Sequence, residues 1–184
     1  MPDFPTNYSI RSATQLDIPA LIAADRAASE LFRPTGLIPD MATIPESIPA
    51  DVLAEGIYEG LLLCCAHKDK PIGFALCRQF DNILYLDQLS IDPAHGRKGL
   101  GTRLVDYVML LAEERSVKTV ALSTFRELKW NGPFYERLGF REIPRKKMTP
   151  WMLDIETAQA ETLDITQRCF MKRPVKRGFF RRTG

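Results

Sequence analysis

The chain has 184 residues, 45% of them hydrophobic, with 25 Lys and Arg against 23 Asp and Glu and a formal net charge of +2. That length supports one domain with a proper core, and a charge so near balance gives no general attraction to nucleic acid. The 2 histidines rule out a His-rich metal site, and no apolar run reaches the length needed to cross a membrane.

The opening residues, MPDFPTNYSI, lack a basic region followed by an apolar run, so no signal peptide is expected. Cys64, Cys65, Cys77 and Cys169 form no CxxC pair and read as buried, reduced thiols of a cytoplasmic protein. On a strand, Cys64 and Cys65 point to opposite faces. Lys172, Arg173, Lys176, Arg177, Arg181 and Arg182 gather near the end with no acid among them. Residues 175–184 are therefore expected to be a solvated basic tail rather than a nucleic-acid or membrane contact.

Residues 8–13 alternate and predict a first strand. Asp17 is placed to cap the next helix, with Pro19 in its first turn. Ala20, Leu21, Ala24, Ala27, Ala28 and Leu31 then recur at helical spacing. Residues 33–47 contain Pro34, Gly36, Pro39 and Pro45 and predict a loop holding at most a short helix. A second helix is expected over 49–59, ended by Gly60. A buried strand follows over 61–67, with a turn at Lys68-Asp69-Lys70 and a hairpin partner over 71–79. Asp81-Asn82 turns into a strand over 83–91. The helix over 99–115 is amphipathic, with Leu100, Leu104, Val108, Leu111 and Ala112 on one face. A strand over 117–123, a short helix over 131–138 stopped by Gly139, and a strand over 140–143 come next. A helix over 150–160 and a strand near 168–172 complete one α/β domain over residues 1–174. Its hairpins exclude a purely parallel, doubly wound sheet.

The most informative stretch is LSIDPAHGRKGLGTRLVDYV, residues 89–108. A strand, a glycine-containing turn and a helix follow one another directly, which aims main-chain N–H groups and a helix dipole at one point suited to phosphate. A nucleoside-triphosphate loop needs GxxxxGK followed by Ser or Thr, yet here Lys98 precedes Gly99. A dinucleotide fingerprint needs GxGxxG after a first strand, whereas Gly96, Gly99 and Gly101 come in the reverse spacing and late in the chain. The remaining option is the pyrophosphate loop of coenzyme A acyltransferases.

Here the chain resembles the GNAT family of N-acetyltransferases. The matching residues are Leu89-Ser90-Ile91-Asp92-Pro93, then Lys98-Gly99-Leu100-Gly101-Thr102-Arg103-Leu104, and a second block from Asn131 through Pro133, Phe134 and Tyr135 to Gly139-Phe140. Ile10, Arg11, Ala13, Thr14 and Asp17 also fit the family's first strand and helix. The resemblance implies a mixed, mostly antiparallel sheet, flanked by helices, whose strands splay around a coenzyme A cleft. It implies an enzyme that moves an acetyl group from acetyl-CoA to a primary amine, small-molecule or peptide, without a metal. Many members are dimers, so a homodimer is implied as well. Two alternatives stay open: a coenzyme-A-binding sensor, and an acyltransferase acting on protein lysines or N-termini. Gly96, where the family usually has Arg or Gln, is the one departure, with Arg97 and Lys98 beside it to add charge.

By the same resemblance, Leu89, Ser90, Ile91, Gly96, Arg97, Lys98, Gly99, Leu100, Gly101, Thr102, Asn131, Phe134 and Tyr135 hold the coenzyme. Tyr135 is the general acid for the departing thiolate. Asp87, two residues before Leu89 and expected to share its face subject to the bulge that the resemblance implies in this strand, is the candidate base. Gln88 cannot be a base, and His95 is expected to be structural. Phe32, Tyr85 and Trp130 are expected to line the acceptor pocket, with the loops over 32–45 and 125–130 around them.

Overall fold

The computed structural model describes residues 6–38 and 46–176. The strands are β1 (Tyr8–Ser12), β2 (Leu62–His67), β3 (Lys70–Phe80), β4 (Ile83–Ile91), β5 (Thr119–Phe125), β6 (Arg141–Glu142) and β7 (Arg168–Pro174). The helices are α1 (Ile18–Ser29), α2 (Ala50–Tyr58), α3 (Leu100–Glu114), α4 (Gly132–Arg137) and α5 (Pro150–Ala160). The strands form one sheet in the order β1-β2-β3-β4-β5-β7-β6. Among the described residues only β4 and β5 pair in parallel; every other pair is antiparallel. The fold class is the mixed, mostly antiparallel sheet that the sequence leads one to expect.

Strand alternation sorts the core into two faces. Cys65, Ala75, Cys77, Leu84, Leu86, Val120, Leu122 and Met171 turn toward α3, whose Leu104, Val105 and Val108 cover them. Cys64, Phe74 and Leu76 turn to the other face, under Leu21 of α1 and Leu53 of α2. Further along that second face, Tyr85, Ala121 and Phe170 lie under Met152 of α5. Full burial of side chains such as Phe74 and Leu104 contributes roughly 1.5–3 kcal/mol each. All four cysteines are free and buried. Burial pushes the thiols of Cys64 and Cys169 up to about 11 and that of Cys65 up to about 12.

Several local expectations are corrected. Helix α1 ends at Ser29 and continues as a 3-10 helix, Glu30–Thr35, which rotates Leu31 out of the apolar stripe and leaves it exposed. The Asp17 side chain does not cap α1. It accepts from Arg11 at 2.7 and 2.9 Å and from the Thr14 amide at 2.7 Å, closing the turn ahead of the helix. The strand expected over 140–143 shrinks to two residues. Residues 39–45 of the expected acceptor loop and 177–184 of the basic tail lie outside the described residues.

Candidate active site

β4 and β5 pair only from Ile83↔Thr119 to Leu86↔Leu122. Beyond that point β4 stays paired with β3 as far as Ile91, and β5 stays paired with β7 as far as Phe125. The two strands therefore part into a fork. A bulge sits at the parting point, because Leu76 faces Gln88 while Cys77 faces Leu86. The phase of the remaining hydrogen bonds follows from one contact: the Asp92 amide donates to the Ile72 carbonyl at 2.8 Å. Bonded and non-bonded positions alternate in an antiparallel pair. Ser90 thus bonds β3, and the main-chain groups of Leu89 and Ile91 point into the fork.

The fork opens onto the turn singled out in the sequence. The Gly96 amide donates to Pro93, and the Arg103 amide donates to Gly99. Between them, the amides of residues 97–102 have no hydrogen-bond partner among the described residues. Arg97 (φ 59°) and Gly99 (φ 75°) both adopt the left-handed conformation, which curls successive N–H groups into a concave anion nest at the start of α3. A Cβ at position 96 would lie 3.1 Å from the Pro93 carbonyl oxygen, so a larger residue would strain this tight turn. The Lys98 side chain, expected to add charge at the loop, donates to the Tyr8 hydroxyl at 2.8 Å. That hydroxyl also bonds His95 Nδ1 at 2.9 Å, giving His95 the structural part expected of it.

α4 flanks the same mouth. A Cβ on Gly132 would lie 2.2 Å from the Arg126 carbonyl oxygen, so only glycine lets the helix start there. The Thr124 hydroxyl donates to Asn131 Oδ1 at 2.8 Å, which fixes the amide against β5. Asn131 Nδ2 is buried and has no hydrogen-bond partner among the described residues, which leaves a donor open. Phe134 lies against Gly101. Tyr135 packs edge-on against Phe134 and Phe140 at centroid distances of 5.0 and 5.7 Å. Burial pushes the Tyr135 phenol well above its ordinary value, so it stays protonated.

The opposite mouth has a different character. Asp25 of α1 is 3% exposed. It accepts from Ser90 Oγ at 2.5 Å, Gln88 Nε2 at 2.9 Å and the Ile48 amide at 2.7 Å. This carboxylate clamps the outer arm of β4 to α1. Phe32 meets Phe125 at 5.7 Å and Trp130 at 6.3 Å, so two of the expected acceptor residues do converge. Trp130 is 46% exposed.

Tyr85 differs from expectation. It is 1% exposed, edge-on to Phe80 and Trp151 and stacked on Phe170, which makes it core rather than wall. Burial raises its phenol. Asp87 does not share a face with Leu89 either. The bulge leaves Leu89 on the α3 core, while Asp87 bonds Arg78 at 2.9 Å on the Tyr85 face. Arg168 also reaches this mouth, donating to Ser123 Oγ at 3.1 Å and Gln159 Oε1 at 3.0 Å. Sequence reasoning missed Asp25, Ser123, Gln159 and Arg168. Only Asp25 left a local signal, as a carboxylate set inside an otherwise apolar helical stripe.

Residues 29–140 match the Acetyltransferase (GNAT) family. An uncharacterized N-acetyltransferase of Methanocaldococcus jannaschii is 29% identical over 85 residues, or 42% of this chain and 38% of that protein. The match thus spans well under half of that relative's length. The PaiA N-acetyltransferase of Thermoplasma acidophilum, solved in complex with coenzyme A, has a TM-score of 0.71 at 17% identity over 91% of this chain and 98% of its own. The ribosomal-protein-alanine N-acetyltransferase of Escherichia coli has a TM-score of 0.65 at 19% identity, covering 95% and 99%. N-acetylglutamate synthase from Neisseria gonorrhoeae, solved with coenzyme A and N-acetyl-glutamate, reaches 0.71 at 16% identity, covering 92% of this chain and 35% of its own. At such identities these structures establish the fold. The family match covers more than half of the sequence, and the chain belongs to the GNAT family of acetyltransferases.

Proposed function

We propose that this protein is an acetyl-CoA-dependent N-acetyltransferase acting on a primary amine. The observation that carries the reading is the fork, in which outward main-chain groups at Leu89 and Ile91 lead into unpartnered amides at 97–102. These groups fit coenzyme A. The amides of Arg97, Lys98, Gly99, Leu100, Gly101 and Thr102 suit a pyrophosphate. The free groups on Leu89 and Ile91 suit an amide-bearing arm laid along the strand, and the orphaned Nδ2 of Asn131 needs an acceptor of the kind that arm presents. Bound acetyl-CoA supplies an activated acetyl thioester.

The chain's own residues then divide the work. Tyr135, held protonated by burial, gives its proton to the leaving sulfur. Asp87, at the bulge and on the opposite face, attracts an ammonium and takes its proton directly or through water. Arg78 bonds only its Oδ1, which leaves Oδ2 for that task. Phe32 and Trp130 shield the acceptor from water. General acid catalysis of this kind accelerates a step by about 10²–10⁴-fold. Tyr135→Phe should therefore lower kcat by roughly 100-fold or more while the KM for acetyl-CoA shifts by about twofold at most. Steady-state measurement of thiol release checks this, and an unchanged kcat with a good amine would remove Tyr135 from the acid role.

A further inference from the structure

The acceptor side of the fork carries a charge that the reaction just described leaves unused. Arg168 stands opposite Phe125 at the end of β5, and its guanidinium lies 4.8 Å from the centre of that ring. Its Nε donates to Gln159 Oε1, and Nη2 donates to Ser123 Oγ. Both acceptors are neutral. Its arginine neighbours are matched, Arg126 with Glu142 and Arg145 with Glu156, at 2.9 and 2.8 Å. Arg168 forms no ion pair among the described residues, and Nη1 makes no hydrogen bond there. Burial works against its charge, and a guanidinium does not escape that cost by losing a proton. A partly buried cation held in place by two neutral side chains, with part of its donor fork open, suits a planar oxyanion.

Its position decides which oxyanion. Ser123 is the first residue of β5 beyond the parting point, and Asp87 is the first of β4. Both lie on the face that carries Tyr85 and Phe170, as Arg78 and Arg168 show by their contacts. The two arms of the fork thus present opposite charges on one face, a carboxylate from β4 and a guanidinium behind β5. Phe125, Phe32 and Trp130 form the apolar wall beside them.

We propose that the acceptor is an amino acid or similar small molecule bearing both an amine and a carboxylate, with its carboxylate on Arg168 and its ammonium toward Asp87. The inference rests on the acetyltransferase reading and specifies its substrate class. Electrostatic complementarity of this kind rejects an analogue lacking the charge, because the guanidinium is then left buried and unpaired.

The test compares matched amines, such as phenylalanine, phenylalaninamide and phenethylamine, and β-alanine with 3-aminopropanamide. The readout is thiol release from acetyl-CoA, with product mass as confirmation. Wild type should favour the carboxylate in each set by at least about tenfold in kcat/KM. Arg168→Met should bring that ratio close to one, and Arg168→Lys should keep part of it. Wild-type protein that acetylates amides or plain amines as well as the acids overturns the inference, whether or not the variants fold. So does a ratio that survives Arg168→Met. Failure to bind coenzyme A in calorimetry would instead overturn the acetyltransferase reading beneath it.

Discussion

The two mouths of the fork are built by different means. The proposed coenzyme mouth comes from two short contiguous stretches, 89–104 and 131–140, and offers mainly main-chain groups. The proposed acceptor mouth is assembled from side chains on α1, β4, β5, α5 and β7, with Ser90 and Asp25 65 residues apart and Ser123 and Gln159 36 apart. Main-chain donors persist through most substitutions, so a site made of them keeps one ligand. A site made of side chains changes ligand when a single residue changes. The fold thus joins a fixed half to a variable half at the bulge beside Asp87.

The largest expected effect breaks the fixed half alone. Gly99 adopts φ 75°, and a Cβ there would meet nothing within 4 Å. Gly99→Val therefore leaves the core untouched, but it forces a β-branched residue into the left-handed region, at a cost of at least about 1–2 kcal/mol. It also crowds the anion nest. Coenzyme A affinity should fall by at least about 100-fold, as measured by calorimetry, while the melting temperature falls by roughly 2–8 °C. Wild-type affinity in that variant would show that the turn is not the anchor.

A second change strikes the variable half. Asp25 accepts from Gln88, Ser90 and the Ile48 amide, and hydrogen bonds to a charged group contribute roughly 1.5–3 kcal/mol each. Asp25→Asn keeps the shape but turns one acceptor oxygen into a donor. It should cost about 2–3 kcal/mol of stability and loosen the outer arm of β4. We expect kcat to fall by about tenfold and coenzyme affinity to fall by less, through the arm contacts of Leu89 and Ile91, since the 97–102 amides are untouched. An equal loss in both would mean that the two mouths are not separable.

The same division explains what the sequence reveals. The coenzyme mouth is local: Gly99 in the left-handed region, α3 directly after it, and Gly132 and Gly139 at either end of α4 are contiguous features with direct physical readings. The order of the strands' hydrophobic faces was equally legible, as the opposite facing of Cys64 and Cys65 illustrates. The acceptor mouth depends on pairing across the sheet. The face on which Asp87 lies is decided by a bulge that no residue pattern marks, and Arg168 acquires meaning only when β7 settles beside β5. Tyr85 looked like a wall because its strand leads to the site. It is core because α5, more than 60 residues later in the chain, brings Trp151 and Met152 over it.

The smallest effect concerns how α1, the helix that carries Asp25, is seated. Arg11 and two groups on Thr14 hold the Asp17 carboxyl at about 2, below its ordinary 3.8. A carboxylate whose folded value is depressed adds stability that is complete above the unfolded value and disappears as the pH falls through the folded one. The window here runs from about 4 down to about 2. The shift corresponds to about 2 kcal/mol at most, and Arg11, with its side chain 40% exposed, is screened by solvent, so about 1–2 kcal/mol is the expected contribution. Urea unfolding of wild type and Asp17→Asn should therefore differ by that amount at pH 7. The difference should narrow steadily below pH 4 and nearly vanish near pH 2. If it stays constant across that range, the loss belongs to hydrogen-bond geometry rather than to charge. Coenzyme affinity at pH 7 should be the same in both proteins, because Asp17 supports only the acceptor half.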